Sequence, residues 1–299
     1  MAVTPARGHL LHVGYPKTGS KFLQRWFEAH PDIAFSDWGI AGFRDAHALM
    51  AAATGPLAPW HATSHEALLT PLTEIDDFGA GDGAIALPTR EAQSAACAML
   101  AGLFPSAHVL IVTRGHEALI RSFHAELVVG GASLGLSDFC EALLAQVEAG
   151  SDVFHFDAAI ETYASAFGEE RLLVLPYELL RDRADGFLGA IEARLGIRPM
   201  DVPAERVRPS PSSPRLAAYR RMTRWMRAVP APAGLRRRYV AALRGGRLGG
   251  VASAIETLGR KSAGQGEEVP RRLLDVLAGR SERLRDNPFF QDYAREYFL

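Results

Sequence analysis

The segment Val13-Gly14-Tyr15-Pro16-Lys17-Thr18-Gly19-Ser20-Lys21-Phe22 decides the fold, because it leads from a short apolar run through a turn into a helix. Residues 10–13 form the apolar run, which reads as a buried strand. From Ser20 the apolar residues recur with helical spacing until His30-Pro31-Asp32 ends the pattern. The segment therefore predicts a strand, a glycine-containing turn and an amphipathic helix in succession.

Three further apolar runs are each followed by turn residues and a helical pattern. They predict strands at residues 84–87, 109–112 and 172–175. Helices are predicted over residues 92–103, 117–128, 157–167 and 187–195, each ending near a glycine or proline. Strands that alternate with helices indicate an α/β fold of three layers, with a parallel sheet flanked by helices.

The turn before Ser20 has the chemistry of an anion site. Several backbone N–H groups at the start of a helix lack an intrahelical acceptor, and the helix dipole adds positive charge there. Lys17 and Lys21 interact unfavourably with that dipole, by about 0.3–1 kcal/mol each. A bound polyanion would make the interaction of both lysines with the site favourable. Only three lysines, Lys17, Lys21 and Lys261, occur among 33 Lys and Arg. Position 17 therefore favours a compact ammonium that fits between phosphate oxygens.

Two other interpretations of this turn stay open. Gly14 and Gly19 have the spacing of a GxxxxGK[ST] loop, which would indicate ATP and Mg²⁺, but Ser20-Lys21 follows in inverted order. A nucleotide-dependent kinase or NTPase is therefore one alternative. A nucleotide-binding module without catalysis is the other.

A second anion contact is predicted about a hundred residues further on. The strand at 109–112 ends in Thr113-Arg114, and Ser122 follows on the second turn of the next helix. An arginine and a serine so placed can converge on one phosphate. The carboxyl edge of an open parallel sheet, where Arg114 belongs, is also where such sheets bind ligands.

Together these motifs resemble the sulfotransferases that use 3′-phosphoadenosine 5′-phosphosulfate (PAPS). Tyr15-Pro16-Lys17-Thr18-Gly19-Ser20 is similar to their 5′-phosphosulfate loop, and Arg114 with Ser122 to their 3′-phosphate signature. The resemblance extends over roughly residues 9–198, and His30-Pro31-Asp32 is more similar to bacterial, carbohydrate-type members than to phenol-type ones. It implies a P-loop NTPase-like fold, in-line sulfuryl transfer, PAPS as cosubstrate, no metal, and a small-molecule or glycan acceptor.

The resemblance also implies residue roles. Lys17 would stabilise charge on the oxygen that bridges phosphorus and sulfur. Lys21 departs from the usual threonine. The residues implied in cosubstrate binding are Lys17, Thr18, Gly19, Ser20, Lys21, Phe22, Arg114 and Ser122.

The general base that takes the acceptor proton is ambiguous in the sequence. Glu91 follows the strand predicted at 84–87 and is the expected catalytic carboxylate. His61 and His65 form an HxxxH pair that would share a helix face, and they are the alternative, with no third ligand for zinc. His124 lies two residues after Ser122 and is expected to be structural.

The chain is expected to be a single domain, with a cosubstrate-binding core over residues 8–200 and an arginine-rich helical cap over residues 201–299. Twelve arginines and no Asp or Glu occur between Arg206 and Arg247, although the net charge is only −1. Such a block can solvate a helix, hold an anionic substrate, or touch a membrane or nucleic acid; a solvated or ligand-binding face is favoured, with no nucleic-acid partner.

The remaining composition sets the expected surroundings of the protein. No stretch reaches the ~18 apolar residues of a membrane span, and no signal-peptide core is present. Cys97 and Cys140 lie far apart and are expected to be buried thiols. The default location is the cytoplasm.

Overall fold

A computed structural model describes residues 8–52, 58–65, 68–70, 88–201, 211–230, 232–259 and 268–298. In these ranges five parallel strands form one sheet in the order β2-β3-β1-β4-β5. The strands are β1 Gly8–His12, β2 Ile33–Ala34, β3 Trp60–Ser64, β4 His108–Thr113 and β5 Leu172–Pro176. The expected α/β architecture, a parallel sheet flanked by helices, is confirmed.

Helices account for most of the described residues between the strands and in the C-terminal third. The first eight are α1 Ser20–Ala29, α2 Ala46–Ala52, α3 Arg90–Leu103, α4 His116–Val129, α5 Leu136–Glu148, α6 Phe156–Phe167, α7 Tyr177–Asp182 and α8 Ala184–Leu195. The remaining ones are α9 Ser213–Ala228, α10 Ala233–Arg244, α11 Gly249–Gly259, α12 Arg271–Ala278 and α13 Ala294–Phe298. The five helices predicted from periodicity correspond to α1, α3, α4, α6 and α8.

The strand order creates a crevice between the carboxyl ends of β1 and β4. From β1 the chain crosses to β2 and β3 on one side, whereas from β4 it crosses to β5 on the other. Two connections that leave neighbouring strands in opposite directions open a gap between them, which is the general ligand site of open parallel sheets. The loops after β1 and β4 therefore border the candidate site.

Three of the four predicted strands are present as β1, β4 and β5. The strand predicted at residues 84–87 lies outside the described residues. β2 and β3 were not predicted, since β3 reads Trp-His-Ala-Thr-Ser and shows no apolar run, yet all five of its residues are buried.

The C-terminal third divides between two cores. Residues after 268 pack into the main core around the sheet, which includes Leu273, Leu277, Phe290 and Tyr297. A small separate core under α9, α10 and α11 rests on Val128 of α4. The structure thus differs from the expectation of one cap after residue 200, because the apolar faces of α12 and α13 are buried against the sheet domain.

Among the described helices, none combines the length and apolar character needed to cross a membrane. Cys97 and Cys140 are buried and form no disulfide bond within the described residues, and their burial is as expected. Burial raises the pKa of Cys97 to about 11, which keeps this thiol protonated.

Candidate active site

The loop between β1 and α1 has a strained backbone shape. Lys17 and Gly19 have φ angles of 67° and 87°, both in the left-handed region, while Thr18 between them does not. Such alternation points successive N–H groups toward one side and forms a concave anion site. The left-handed conformation costs a lysine about 1–2 kcal/mol, so the surrounding structure must hold it.

Buried contacts fix this loop from behind. The buried Tyr15 donates its hydroxyl to the Val153 carbonyl at 2.8 Å, and its N–H to the Val112 carbonyl at 3.3 Å. Thr18 Oγ1 donates to the Tyr15 carbonyl at 2.6 Å. At Gly19 a Cβ atom would lie 2.5 Å from a Leu180 methyl, so only glycine fits there.

The start of α1 offers donors without an internal acceptor. Its first turn contains no acidic residue, and Gly19 provides no side-chain cap. Ser20 is buried, and its Oγ has no hydrogen-bond partner among the described residues. The exposed Lys21 follows at the second position of the helix. This end of the helix is therefore prepared for an anion.

Phe22 is the last residue of the predicted binding segment and is held within the turn. Its N–H donates to the Gly19 carbonyl at 2.9 Å, and its side chain packs against the main core. The backbone donor of Phe22 is thus used within the turn. Phe22 closes the turn and presents no free donor to a ligand.

Arg114 reaches the same loop from the end of β4. Its Nη1 donates to the Lys17 carbonyl at 2.9 Å, although the two residues are 97 positions apart in the chain. The guanidinium carbon lies 4.7 Å above the centre of the Tyr177 ring. Nε of Arg114 is buried and has no partner within the part of the chain that the structure describes. The crevice thus brings together the two anion motifs predicted from the sequence.

A buried hydrogen-bond network supports the turn that follows Arg114. Glu178 accepts the Gly115 N–H on Oε1 at 3.0 Å and the Tyr297 hydroxyl on Oε2 at 2.9 Å. The hydroxyls of Tyr297 and Thr113 lie 3.1 Å apart. Burial, and next the Glu178 carboxylate, raise the pKa of Tyr297 well above its usual value. Glu178 therefore holds the turn together, and Tyr177 supports the Arg114 guanidinium.

One face of α4 completes the site. Ser122 is buried, and its Oγ lacks a partner among the described residues. Glu126 lies one helical turn further on the same face. Its Oε2 is 3.4 Å from Lys17 Nζ, and both side chains are partly exposed. Glu126 was not among the predicted site residues, because its spacing of four residues from Ser122 indicates a shared helix face but not a contact with Lys17.

Glu91 lies in the first turn of α3 and is exposed. Hydrogen bonds from its own N–H, and next from the Thr89 hydroxyl, lower the pKa of Glu91. The neighbouring Arg90 N–H is bound to the Ser151 carbonyl at 3.0 Å. Within the described ranges no hydrogen bond or ion pair joins Glu91 to Lys17 or Arg114.

The histidine alternative for the base is wrong as a helical pair. Residues 60–64 form β3, so His61 and His65 lie ~13 Å apart along an extended chain. His61 Nδ1 is 2.6 Å from the Ala41 carbonyl oxygen, and the His65 N–H donates to the His12 carbonyl at 3.3 Å. His124 bonds through Nε2 to the Leu134 carbonyl at 3.0 Å and ties the end of α4 to the next loop.

In the described ranges, no group of three or more His, Cys, Asp or Glu residues is placed to hold a metal ion. Lys17 and Ser20 follow β1, and Arg114 and Ser122 follow β4, so both pairs belong to the segments that border the crevice. Fold and site together define an α/β protein whose switch-point cleft suits a ligand with more than one anionic group.

No protein-family model and no curated protein sequence matches this chain. Among solved structures, the chain is similar to a sulfotransferase from Alicyclobacillus acidocaldarius, with a TM-score of 0.46 and 18% identity over 80% of this chain and 96% of that one. It is also similar to mouse sulfotransferase SULT7A1 complexed with PAP, with a TM-score of 0.37 and 15% identity over 77% and 69% of the two chains. The functional proposal rests on the cleft itself.

Proposed function

We propose that this protein is a PAPS-dependent sulfotransferase, which moves a sulfuryl group to an acceptor hydroxyl. The observation that carries the proposal is the junction of Lys17 with Arg114 at the switch point, 2.9 Å from carbonyl oxygen to guanidinium nitrogen. It places an ammonium, a guanidinium and the start of α1 around one crevice. PAPS carries anionic groups at its 5′ and 3′ ends and would engage both motifs.

The residues present fit this ligand. Ser20 Oγ, Ser122 Oγ and Arg114 Nε are buried without a partner in the described residues. An unsatisfied buried polar group costs about 1–3 kcal/mol, so phosphate oxygens that accept these three donors would offset a large penalty. The three atoms belong to the β1–α1 and β4–α4 motifs, as a ligand that spans both would require.

The positions of these residues support the roles that the resemblance implies. The donor supplies a sulfuryl group already activated by its bond to phosphate. Lys17 would place its ammonium against the bridging oxygen, where negative charge develops as the sulfur–oxygen bond breaks. Thr18, Gly19, Ser20 and Lys21 would hold the 5′-phosphate at the start of α1. Arg114 and Ser122 would hold the 3′-phosphate.

A general base must take the proton of the attacking hydroxyl. Glu91, the residue assigned from the sequence, lies in the first turn of α3, and no described hydrogen bond or ion pair joins it to Lys17. Glu126 is 3.4 Å from Lys17 Nζ and lies in the cleft. Geometry therefore favours Glu126, which would be released from Lys17 when the lysine turns to the donor.

The proposed acceptor is a glycan hydroxyl, and Trp38 supports this choice. Its side chain is 79% exposed and its backbone is left-handed with φ of 61°. The indole lies 5.1 Å from the ring of His65, which directly follows the carboxyl end of β3. β3 pairs in parallel with β1, the strand that leads into the Lys17 loop. An exposed indole beside a cleft is a suitable platform for the apolar face of a sugar.

The product left after transfer is 3′-phosphoadenosine 5′-phosphate (PAP). Its binding distinguishes a sulfotransferase from a nucleotide kinase. Calorimetry is expected to show that PAP binds in the presence of EDTA and binds more tightly than ATP with Mg²⁺. In a radiolabelled transfer assay, Lys17→Ala is expected to lower kcat by about 10²–10³-fold. Tight ATP binding without PAP binding would overturn the proposal. PAP binding without transfer to any glycan, phenol or lipid would instead indicate a module without catalysis.

The acceptor proposal has its own test. Trp38→Ala is expected to raise KM for glycan acceptors by about fivefold while KM for PAPS stays unchanged, because the indole contacts only the acceptor. Leu103→Ala is the matched control, since Leu103 is 63% exposed on α3. An unchanged glycan KM in Trp38→Ala would exclude this platform.

A further inference from the structure

The hairpin of α9 and α10 exposes a basic and apolar surface that the proposed reaction does not use. We call it the hairpin face, and it consists of Arg221, Arg224, Trp225, Val229, Leu235 and Arg238. Trp225 is 65% exposed, Val229 55% and Leu235 50%. By their spacing, Arg221, Arg224 and Trp225 share one face of α9, and Leu235 and Arg238 share one face of α10. Large exposed apolar side chains interspersed with arginines are typical of an interaction surface.

The opposite side of the hairpin is anchored to the protein. Ala218, Tyr219 and Met222 of α9 pack into the small core on Val128. Thr223 Oγ1 of α9 and Tyr239 Oη of α10 are 2.8 Å apart and buried, which joins the two helices. The face that points outward is therefore held by a folded support.

The arginines of the cap divide into two sets. Arg215 and Arg227 hold the cap in place, by a bond to Ser253 Oγ at 3.1 Å and one to the Gly131 carbonyl at 3.4 Å. Arg221, Arg224 and Arg238 are exposed, and no described residue forms an ion pair with them. No Asp or Glu occurs between positions 206 and 247 to neutralise them.

We propose that the hairpin face docks this protein on an anionic lipid membrane. Arginines near such a surface are attracted to the negative headgroups, and tryptophan prefers the boundary between headgroups and acyl chains. A helix pair with one apolar and basic side lies flat in that boundary. An exposed indole and two exposed aliphatic side chains distinguish this face from a merely solvated one, and the lack of acidic residues suits a polyanionic sheet of lipid.

Sedimentation with vesicles tests the proposal on the full-length protein. Vesicles of phosphatidylcholine with 30% phosphatidylglycerol are expected to bind the protein at 0.1 M NaCl, while pure phosphatidylcholine vesicles do not. Arg221→Gln, Arg224→Gln and Arg238→Gln combined should weaken binding by about a hundredfold, about fivefold per arginine. Trp225→Ser should weaken binding without changing its dependence on salt.

Matched controls place the effect on this face. Arg171→Gln, Arg183→Gln and Arg285→Gln remove the same charge elsewhere and should leave binding within twofold, as should Leu103→Ser. Circular dichroism checks that every variant is folded. Three results would each overturn the proposal. They are equal binding to both kinds of vesicle, equal losses of vesicle affinity in the two triple variants, and binding to heparin or RNA without binding to vesicles. Concentration-dependent dimerisation that Trp225→Ser abolishes, without vesicle binding, would assign the face to a second copy instead.

Discussion

Lys17 contributes to the cleft through both its backbone and its side chain. The left-handed backbone, with φ of 67°, shapes the concave loop, and the carbonyl accepts from Arg114. The ammonium faces Glu126 at 3.4 Å. One residue therefore joins the loop, the β4 arginine and α4, which explains why strain is tolerated at this position.

The two carboxylates can be separated by substitution. If Glu126 takes the acceptor proton, Glu126→Gln lowers kcat by about 10²-fold and removes the acidic limb of the pH profile, because glutamine cannot accept the proton. KM for PAPS should change little, since Lys17, Arg114 and Ser122 remain. Steady-state kinetics between pH 5 and pH 9 measure both effects.

Glu91→Gln and Glu117→Gln are the comparison variants. Both residues lie in the first turn of a helix, α3 and α4 respectively, and both are exposed. Each variant is expected to stay within twofold of the wild-type kcat. A 10²-fold loss in Glu91→Gln with none in Glu126→Gln would return the base to the residue assigned from the sequence.

Arg114 and Glu126 differ in whether residue type and spacing could predict their place in the site. Arg114 could be predicted because a strand end fixes where the next side chain points. Glu126 could not, because its contact with Lys17 depends on how α4 is rotated against a loop more than a hundred residues earlier. Periodicity places Glu126 on a helix but does not select its neighbour.

The last described helix, α13, supports the turn that carries Arg114. Tyr297 of α13 donates to Glu178 of α7, which in turn accepts from Gly115 at the start of α4. Three elements from different parts of the chain thus meet behind Arg114. Tyr297 and Glu178 are both about 1% exposed, so water cannot replace the bond.

Removing the Tyr297 hydroxyl is expected to affect both stability and ligand binding. Tyr297→Phe leaves Glu178 Oε2 buried without this donor and should lower the free energy of unfolding by about 1–3 kcal/mol. It should also weaken PAP binding several-fold, because the turn that carries Arg114 loses its support. Urea denaturation and calorimetry measure the two quantities.

Tyr239→Phe is the matched control for this prediction. It also removes a buried hydroxyl, the one 2.8 Å from Thr223, but in the separate core of the cap. A stability loss of similar size is expected with no change in PAP affinity. If PAP binding falls equally in both variants, the effect is a general loss of stability and α13 has no specific role.

At the level of elements, the strands predicted from apolar runs are present wherever the structure describes those residues. β3 was not predicted from the sequence. Its polar side chains are satisfied by the neighbouring strand, with Thr63 Oγ1 2.8 Å from His9 Nε2 and Ser64 Oγ 2.7 Å from His12 Nδ1. Such pairs allow a polar sequence to be buried. They depend on strand pairing and therefore cannot be read from hydropathy.

Across the whole molecule, buried imidazoles link the sheet to the C-terminal segment. His12 lies fully buried in β1, and His116 at the start of α4 has Nε2 2.7 Å from Ser281 Oγ. Burial lowers the pKa of each of these histidines to about 3. Both are therefore neutral in the folded protein at ordinary pH.

This arrangement makes stability sensitive to mild acid. An unfolded histidine, with a pKa of about 6.5, binds a proton below that pH, whereas the folded one does not until about pH 3. The unfolded state therefore binds more protons, and the free energy of unfolding should fall as pH drops from 7 to 5, by about 2 kcal/mol for each histidine. Urea denaturation at pH 7, 6 and 5 measures the slope, and His12→Gln should reduce it by about a third, because burial also lowers the pKa of His9, to about 4. A stability that is constant over this range would mean that these two imidazoles already carry a proton or reach water in the folded state, and the close packing of β1 against β3 and β4 argues against both.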